Sequence, residues 1–114
     1  MNAKKLFVIA CYYDGSNSSI FECVDSILKY YKSPQIAVID SNSPDKSYFK
    51  KLKEKGVIVY NAKNKNYDTG AYWYAYNKFK KVNFFYFLQD SVIFKKNLSN
   101  YEKNDLTTFR YFLS

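Results

Sequence analysis

At 114 residues the chain fits one folding unit, long enough for a real core but short for a two-domain enzyme. Its 47% hydrophobic and 25% charged residues exclude disordered, collagen-like and coiled-coil classes, and the absence of histidine excludes His-based triads, His general bases and the commonest transition-metal ligand. The formal charge of +8 comes almost wholly from lysine, since Arg110 is the single arginine among 18 basic residues; such a field attracts nucleic acid, anionic membrane or a nucleotide diphosphate, or simply solubilises the surface.

In chain order, Leu6 to Cys11 is a continuous apolar run, as expected of a central strand covered on both faces. Its apolar stretch through Tyr12 is too short for a membrane span and has no cleavage pattern after it. Asp14 to Ser18 is turn chemistry. Ser19-Ile20-Phe21-Glu22 matches a capping box, and Ile20, Cys23, Val24, Ile27, Leu28 and Tyr31 follow at helical spacing. Ser33-Pro34 breaks the chain before a second buried strand, Gln35 to Asp40. Ser43-Pro44-Asp45 then supplies a cap, a proline for the first helical position and a first-turn acid, so a second helix is expected from there to about Lys55, stopped by Gly56.

Val57 to Tyr60 reads as a third strand and Asn61 to Tyr67 as a polar loop. Asp68-Thr69-Gly70 opens a third helix through Phe79, with Ala71 and Ala75 spaced for close packing. Phe84 to Leu88 is a fourth strand, which Ser91 to Phe94 continues or flanks, and Thr107 to Phe112 is either a strand or a short helix. The alternation predicts an α/β fold, a three-layer α/β/α arrangement around a mainly parallel, Rossmann-like sheet, in a single domain over 1–114. The two cysteines, on a strand and a packed helix, are expected as free core thiols, which fits a reducing, cytoplasmic location.

Ligands of such sheets bind at the carboxyl ends of the strands. Here those ends carry Tyr12, Tyr13 and Asp14; Asp40, Ser41 and Asn42; Asn61 to Asp68; and Gln89, Asp90 and Ser91. Neither GxGxxG nor GxxxxGK[ST] occurs, so a dinucleotide fingerprint and a P-loop are both excluded. A first strand ending in aromatics and an acid, a second ending Val38-Ile39-Asp40-Ser41-Asn42-Ser43-Pro44-Asp45, an Asn-rich loop leading to Gly70, and a fourth ending Phe87-Leu88-Gln89-Asp90-Ser91-Val92 resemble the GT-A nucleotide-sugar transferases in order and spacing. The resemblance covers roughly residues 5 to 98.

The resemblance implies a nucleotide-sugar donor, UDP-like, with Tyr12, Tyr13 and Asp14 framing the base and Asp40 accepting a hydrogen bond from uracil or ribose. It places Asn42, Asp68 and Gly70 along the nucleotide and Lys63 or Lys65 at the diphosphate. The family's DxD motif holds Mg2+ or Mn2+ with paired carboxylates. This chain has Gln89-Asp90-Ser91 there, so Asp90 is the one matching metal ligand. Alternative uses stand beside each: Asp40 as a turn acid, Asp68 or Thr69 as a helix cap, the loop lysines as solvated charge, and the aromatics of the third helix as core rather than a sugar platform.

Beyond the fourth strand the family carries an acceptor-glycan half, for which Glu102 and Asp105 are the only downstream acids here. Two further functions are therefore open besides a minimal transferase: a non-catalytic binding or assembly module with a partner chain or a homo-oligomer, and a basic single-strand nucleic-acid binder. An exposed sheet edge and many aromatics favour self-association.

Overall fold

The computed structural model describes residues 5–15, 18–63 and 67–102, with Tyr67 described as backbone only. Asn64-Lys65-Asn66, Asp105 and the expected Thr107–Phe112 element lie outside the described residues. Four strands alternate with three helices: β1 (Lys5–Cys11), α1 (Ile20–Tyr30), β2 (Ile36–Asp40), α2 (Tyr48–Glu54), β3 (Ile58–Asn61), α3 (Tyr67–Lys78) and β4 (Phe84–Gln89), followed by a 3-10 turn at Ser99–Tyr101. All pairings are parallel, in the order β3-β2-β1-β4. This is the α/β fold the alternation predicts.

The double-sided burial of β1 explains its unbroken apolar run. Phe7, Ile9 and Cys11 point into one core with Ile20, Cys23, Val24 and Ile27 of α1 and with Tyr48 and Leu52 of α2. Leu6, Val8 and Ala10 point the other way, against Ala71 and Ala75 of α3, each 0% exposed. Alanine on both sides of that contact lets the α3 backbone settle close to the sheet. Each fully buried Ile or Leu contributes about 1.5–3 kcal/mol relative to exposure.

Helices α1 and α2 thus share one face, and α3 takes the other. Strands are added leftward from β1 to β3 and then rightward to β4, so right-handed crossovers must change face at that reversal.

Two local expectations are corrected, and of the two readings of Ser91 to Phe94 the flanking one holds. The Ser19–Glu22 capping box does not form: Ser19 is the cap residue without a side-chain bond, and Ser18 Oγ accepts from Ile20 N at 3.1 Å instead. Helix α2 does not begin at Pro44 but at Tyr48, because Ser43 is held by Asp40 and Tyr13 and cannot serve as a cap. Ser91 to Phe94 does not extend β4; Val92 N turns back to Gln89 O at 3.1 Å, and Phe94 becomes core beside Phe7, Tyr31 and Tyr86. Gly56 does stop α2 in the left-handed region, at φ 81°. No helix among the described residues is long and apolar enough to cross a membrane.

Candidate functional site at the carboxyl ends of the strands

Strand order reverses between β1 and β4, so the crevice outside their carboxyl ends is the topological switch point. Ala10 pairs with Gln89 there, and Cys11 and Asp90 are the next residues out. Asp90 Oδ2 accepts a 2.6 Å hydrogen bond from Ser18 Oγ and a longer one, 3.9 Å, from the Cys11 thiol. Because Ser18 Oγ also accepts from Ile20 N, this one hydroxyl ties the end of β4 to the start of α1.

A second acid arrives from the opposite face of the sheet. Asp68, in the first turn of α3, accepts a hydrogen bond from the Gln89 side-chain amide. A first-turn acid is favoured there by the helix dipole as well. Tyr72, one turn further, has its hydroxyl pushed above the ordinary tyrosine range by burial, and then by the negative charges of Asp68 and Asp90. Two partly exposed carboxylates therefore flank Gln89, one from α3 and one from the end of β4, each bonded through Oδ2.

The other side of β1 looks different. Asp40 is 0% exposed and accepts from Ser43 N at 2.9 Å, from Ser43 Oγ and from the Tyr48 hydroxyl. Its carboxylate is thus closed off by the fold, as the turn-acid reading has it. Burial raises the Tyr48 hydroxyl well out of the ordinary range, and the charge of Cys11 and the bond to Asp40 add to that.

Tyr13 is drawn into the same knot. Its N donates to Ser43 Oγ at 2.7 Å, its ring stacks on Tyr48 at 4.7 Å, and its carbonyl accepts from Asp45 N at 3.4 Å. Gly15, at φ +92°, brings this loop so close to Asp45 that a Cβ would lie 3.1 Å from its Oδ2.

Of the remaining candidates, Tyr12, Asp14, Asn42 and Lys63 are exposed at the strand ends, and Gly70 sits in the first turn of α3, half-buried. Asn42 and Lys63 both adopt positive φ, 59° and 54°. Glu102, in contrast, lies at the amino ends of the strands, paired with Lys5 at 2.8 Å.

Of the residues that build this edge, Ser18 is the one the sequence candidates lack, since it reads only as part of a turn, while Gln89 stands among the polar strand ends and Tyr72 among the aromatics of the third helix. In a parallel sheet every helix that follows a strand starts at the carboxyl edge, so the first turn of α3 must face the end of some strand. That rule puts Asp68 at the same edge of the sheet as Asp90.

A divalent cation can be tested against this donor set. Among the described residues no group of three His, Cys, Asp or Glu converges. Asp68 and Asp90 nevertheless offer hard carboxylate oxygens from two elements, and Mg2+ needs only one or two such ligands beside phosphate oxygens and water. Cys11 adds nothing to such a site, since burial pushes its thiol up to about 12, with Asp90 and Asp40 adding to the shift and bonds to Tyr48 and Ser18 opposing it. No family model matches the chain, and no curated protein or solved structure does so either.

Proposed function

We propose that the β1/β4 crevice binds the diphosphate of a nucleotide sugar, as the resemblance to GT-A transferases implies, with Asp90 and Asp68 holding Mg2+ or Mn2+. The observation that carries this is that two acids from different elements stand on either side of Gln89 at the switch point, each bonded by a neutral partner, Ser18 for Asp90 and Gln89 for Asp68. Helices α1 and α3 both start at this edge, and their positive ends favour a bound anion. The cation, when bound, would neutralise charge developing on the departing diphosphate. The chain's own groups would orient the carboxylates, while Tyr12, Asp14, Asn42 and Lys63 present the exposed polar rim to nucleoside and sugar.

A second reading is a binding or assembly module that transfers nothing. It is favoured by the enclosure of Asp40 and by Gln89 standing where the transferases carry an acid. The two free, buried thiols support a reducing, cytoplasmic setting for either reading.

Thermal-shift titration with UDP, GDP, CDP and their sugars, with and without Mn2+, tests both. Ligand at a hundred times its Kd stabilises the native state by about 2.7 kcal/mol. A nucleotide-selective, metal-dependent rise, lost in Asp68→Asn and Asp90→Asn, is expected. No shift with any donor at millimolar concentration refutes the proposal, and release of free sugar from a bound donor separates transferase from binding module.

A further inference from the structure

Among the described residues β4 pairs only with β1, leaving its other edge without a strand. Its two faces are treated differently. Tyr86 and Leu88 are buried in the α1-side core with Phe94 and Leu98, but on the other face α3 packs over β1 and β2 and leaves Phe85 and Phe87 at its margin. Phe87 is 42% exposed, Tyr76 56% and Trp73 67%.

These rings form one continuous strip. Phe85 stacks with Phe87 at 5.2 Å, Phe87 meets Tyr72 at 4.9 Å, Phe85 meets Tyr76 at 5.9 Å, and Tyr76 stacks with Trp73 at 6.1 Å. The strip is free of basic residues in a chain that has 18: residues 66–77 and 82–94, which supply all of it, contain neither Lys nor Arg. Charge gathers instead at the two ends of β4, with Lys80 and Lys81 just before the strand and Asp90, with Asp68, at its end.

We infer that this face binds a second copy of the chain, β4 pairing antiparallel with its twofold mate so that the two sheets become one. A strand edge that has no neighbour among the described residues offers N–H and C=O groups that another strand satisfies best. Antiparallel pairing sets the basic start of each β4 beside the acidic end of the other, whereas parallel pairing would oppose lysine to lysine. The twofold axis is then perpendicular to the sheet and keeps faces aligned, so Phe85 and Phe87 of both copies join on one side, flanked by the two α3 helices. A net charge of +8 opposes self-association in general, and the segments that form this strip carry none of the basic residues behind it. The lack of basic groups beside the exposed rings also argues against a nucleic-acid strand as occupant.

Light scattering and amide hydrogen exchange on the full chain, over a wide concentration range, test this. The mass is expected to rise from 13.5 kDa to twice that, protection of Phe84–Leu88 should rise with it, and emission of Trp73, the single tryptophan, should shift to the blue. Phe87→Lys, with its fold checked by circular dichroism, should weaken dimerisation by about a hundredfold by opposing like charges across the axis. Lys81→Glu, on an exposed loop, should weaken it by about tenfold and flatten its salt dependence.

A monomer with fast exchange in β4 at every concentration would overturn the inference and leave the edge for a different protein. Slow exchange independent of concentration would overturn it too, since the chain would then cover its own edge. So would a dimer indifferent to Phe87→Lys and Lys81→Glu.

Discussion

Asp40 and Asp90 stand at the ends of parallel strands on either side of β1, and each is followed by serine. Their surroundings are opposite. Asp40 is fully enclosed and receives two donors from Ser43 and one from Tyr48, while Asp90 is part exposed and receives Ser18 across the crevice. The next few residues make the difference. After β2, Asn42 turns at φ 59° and folds Ser43 back onto Asp40; after β4, Val92 N closes on Gln89 O and leaves Asp90 facing the start of α1. An acid at a strand end is thus structural or available according to whether its own loop returns to it.

The largest effect expected from this contrast is on stability. Asp40→Ala leaves Ser43 N, Ser43 Oγ and Tyr48 Oη without their acceptor in a dry site, and unsatisfied buried groups cost about 1–3 kcal/mol each. A total of about 3–5 kcal/mol is a large part of the stability of a small domain, so a collapse of the urea midpoint is expected. Asp90→Ala should cost about 1 kcal/mol or less, its carboxylate being in reach of water. Equal losses from the two variants would break the comparison.

The thiols test how dry the space beneath the two acids is. Burial pushes both Cys11 and Cys23 up to about 12, with Asp90 adding to each. An unfolded thiol ionises near its ordinary value of 9.0 while the native one keeps its proton, so between these limits the native state binds more protons. Stability is therefore intact below pH 9 and falls as pH rises toward 12, by about 1.4 kcal/mol per pH unit and per thiol. Denaturant melts from pH 8 upward would show the decline, and alkylation of the native protein at pH 8 should be far slower than of the unfolded chain. Rapid native alkylation would mean the crevice floor is wet.

Tyr48→Phe sharpens the picture on a smaller scale. It deletes one of three donors to Asp40 while keeping the ring that stacks on Tyr13, so a loss of about 1–2 kcal/mol is expected, well short of Asp40→Ala. If the two variants match, Tyr48 rather than Ser43 holds the loop.

Strands β1 and β2 were legible because residues buried on both faces must be apolar, and the part-exposed β3 and β4 because they are runs of β-branched and aromatic residues. Leu6 to Cys11, Gln35 to Asp40, Val57 to Tyr60 and Phe84 to Leu88 each match the observed strands to within one residue at either end. Helix starts were less legible, since Ser19, Ser43 and Pro44 have the right chemistry for caps, yet tertiary partners claimed Ser43 and the neighbouring Ser18. The candidate site was legible as a place but not as a set of residues. Tyr13 and Asp40 carry the same local signals as Tyr12 and Asp90, and only the return of the β2–α2 loop separates them. Asp68 read as a cap acid because its partner Gln89 is 21 residues away and carries no charge to signal the pairing.

The smallest structural effect, and the most direct for function, belongs to Ser18→Ala. Ser18 Oγ donates to Asp90 and accepts from Ile20 N, so its removal should cost about 0.5–1 kcal/mol, typical of a lost helix-end hydrogen bond. The carboxylate of Asp90 stays in place chemically but loses the group that aims it. If Asp90 holds a cation beneath a diphosphate, Ser18→Ala should weaken the metal-dependent part of nucleotide binding several-fold while leaving metal-free binding unchanged. If Ser18 serves only to start α1, the melting temperature falls slightly and both titrations stay the same. Calorimetry of nucleotide binding with and without Mn2+ separates the two, because a helix-start role acts through folding and an aiming role acts through the ion.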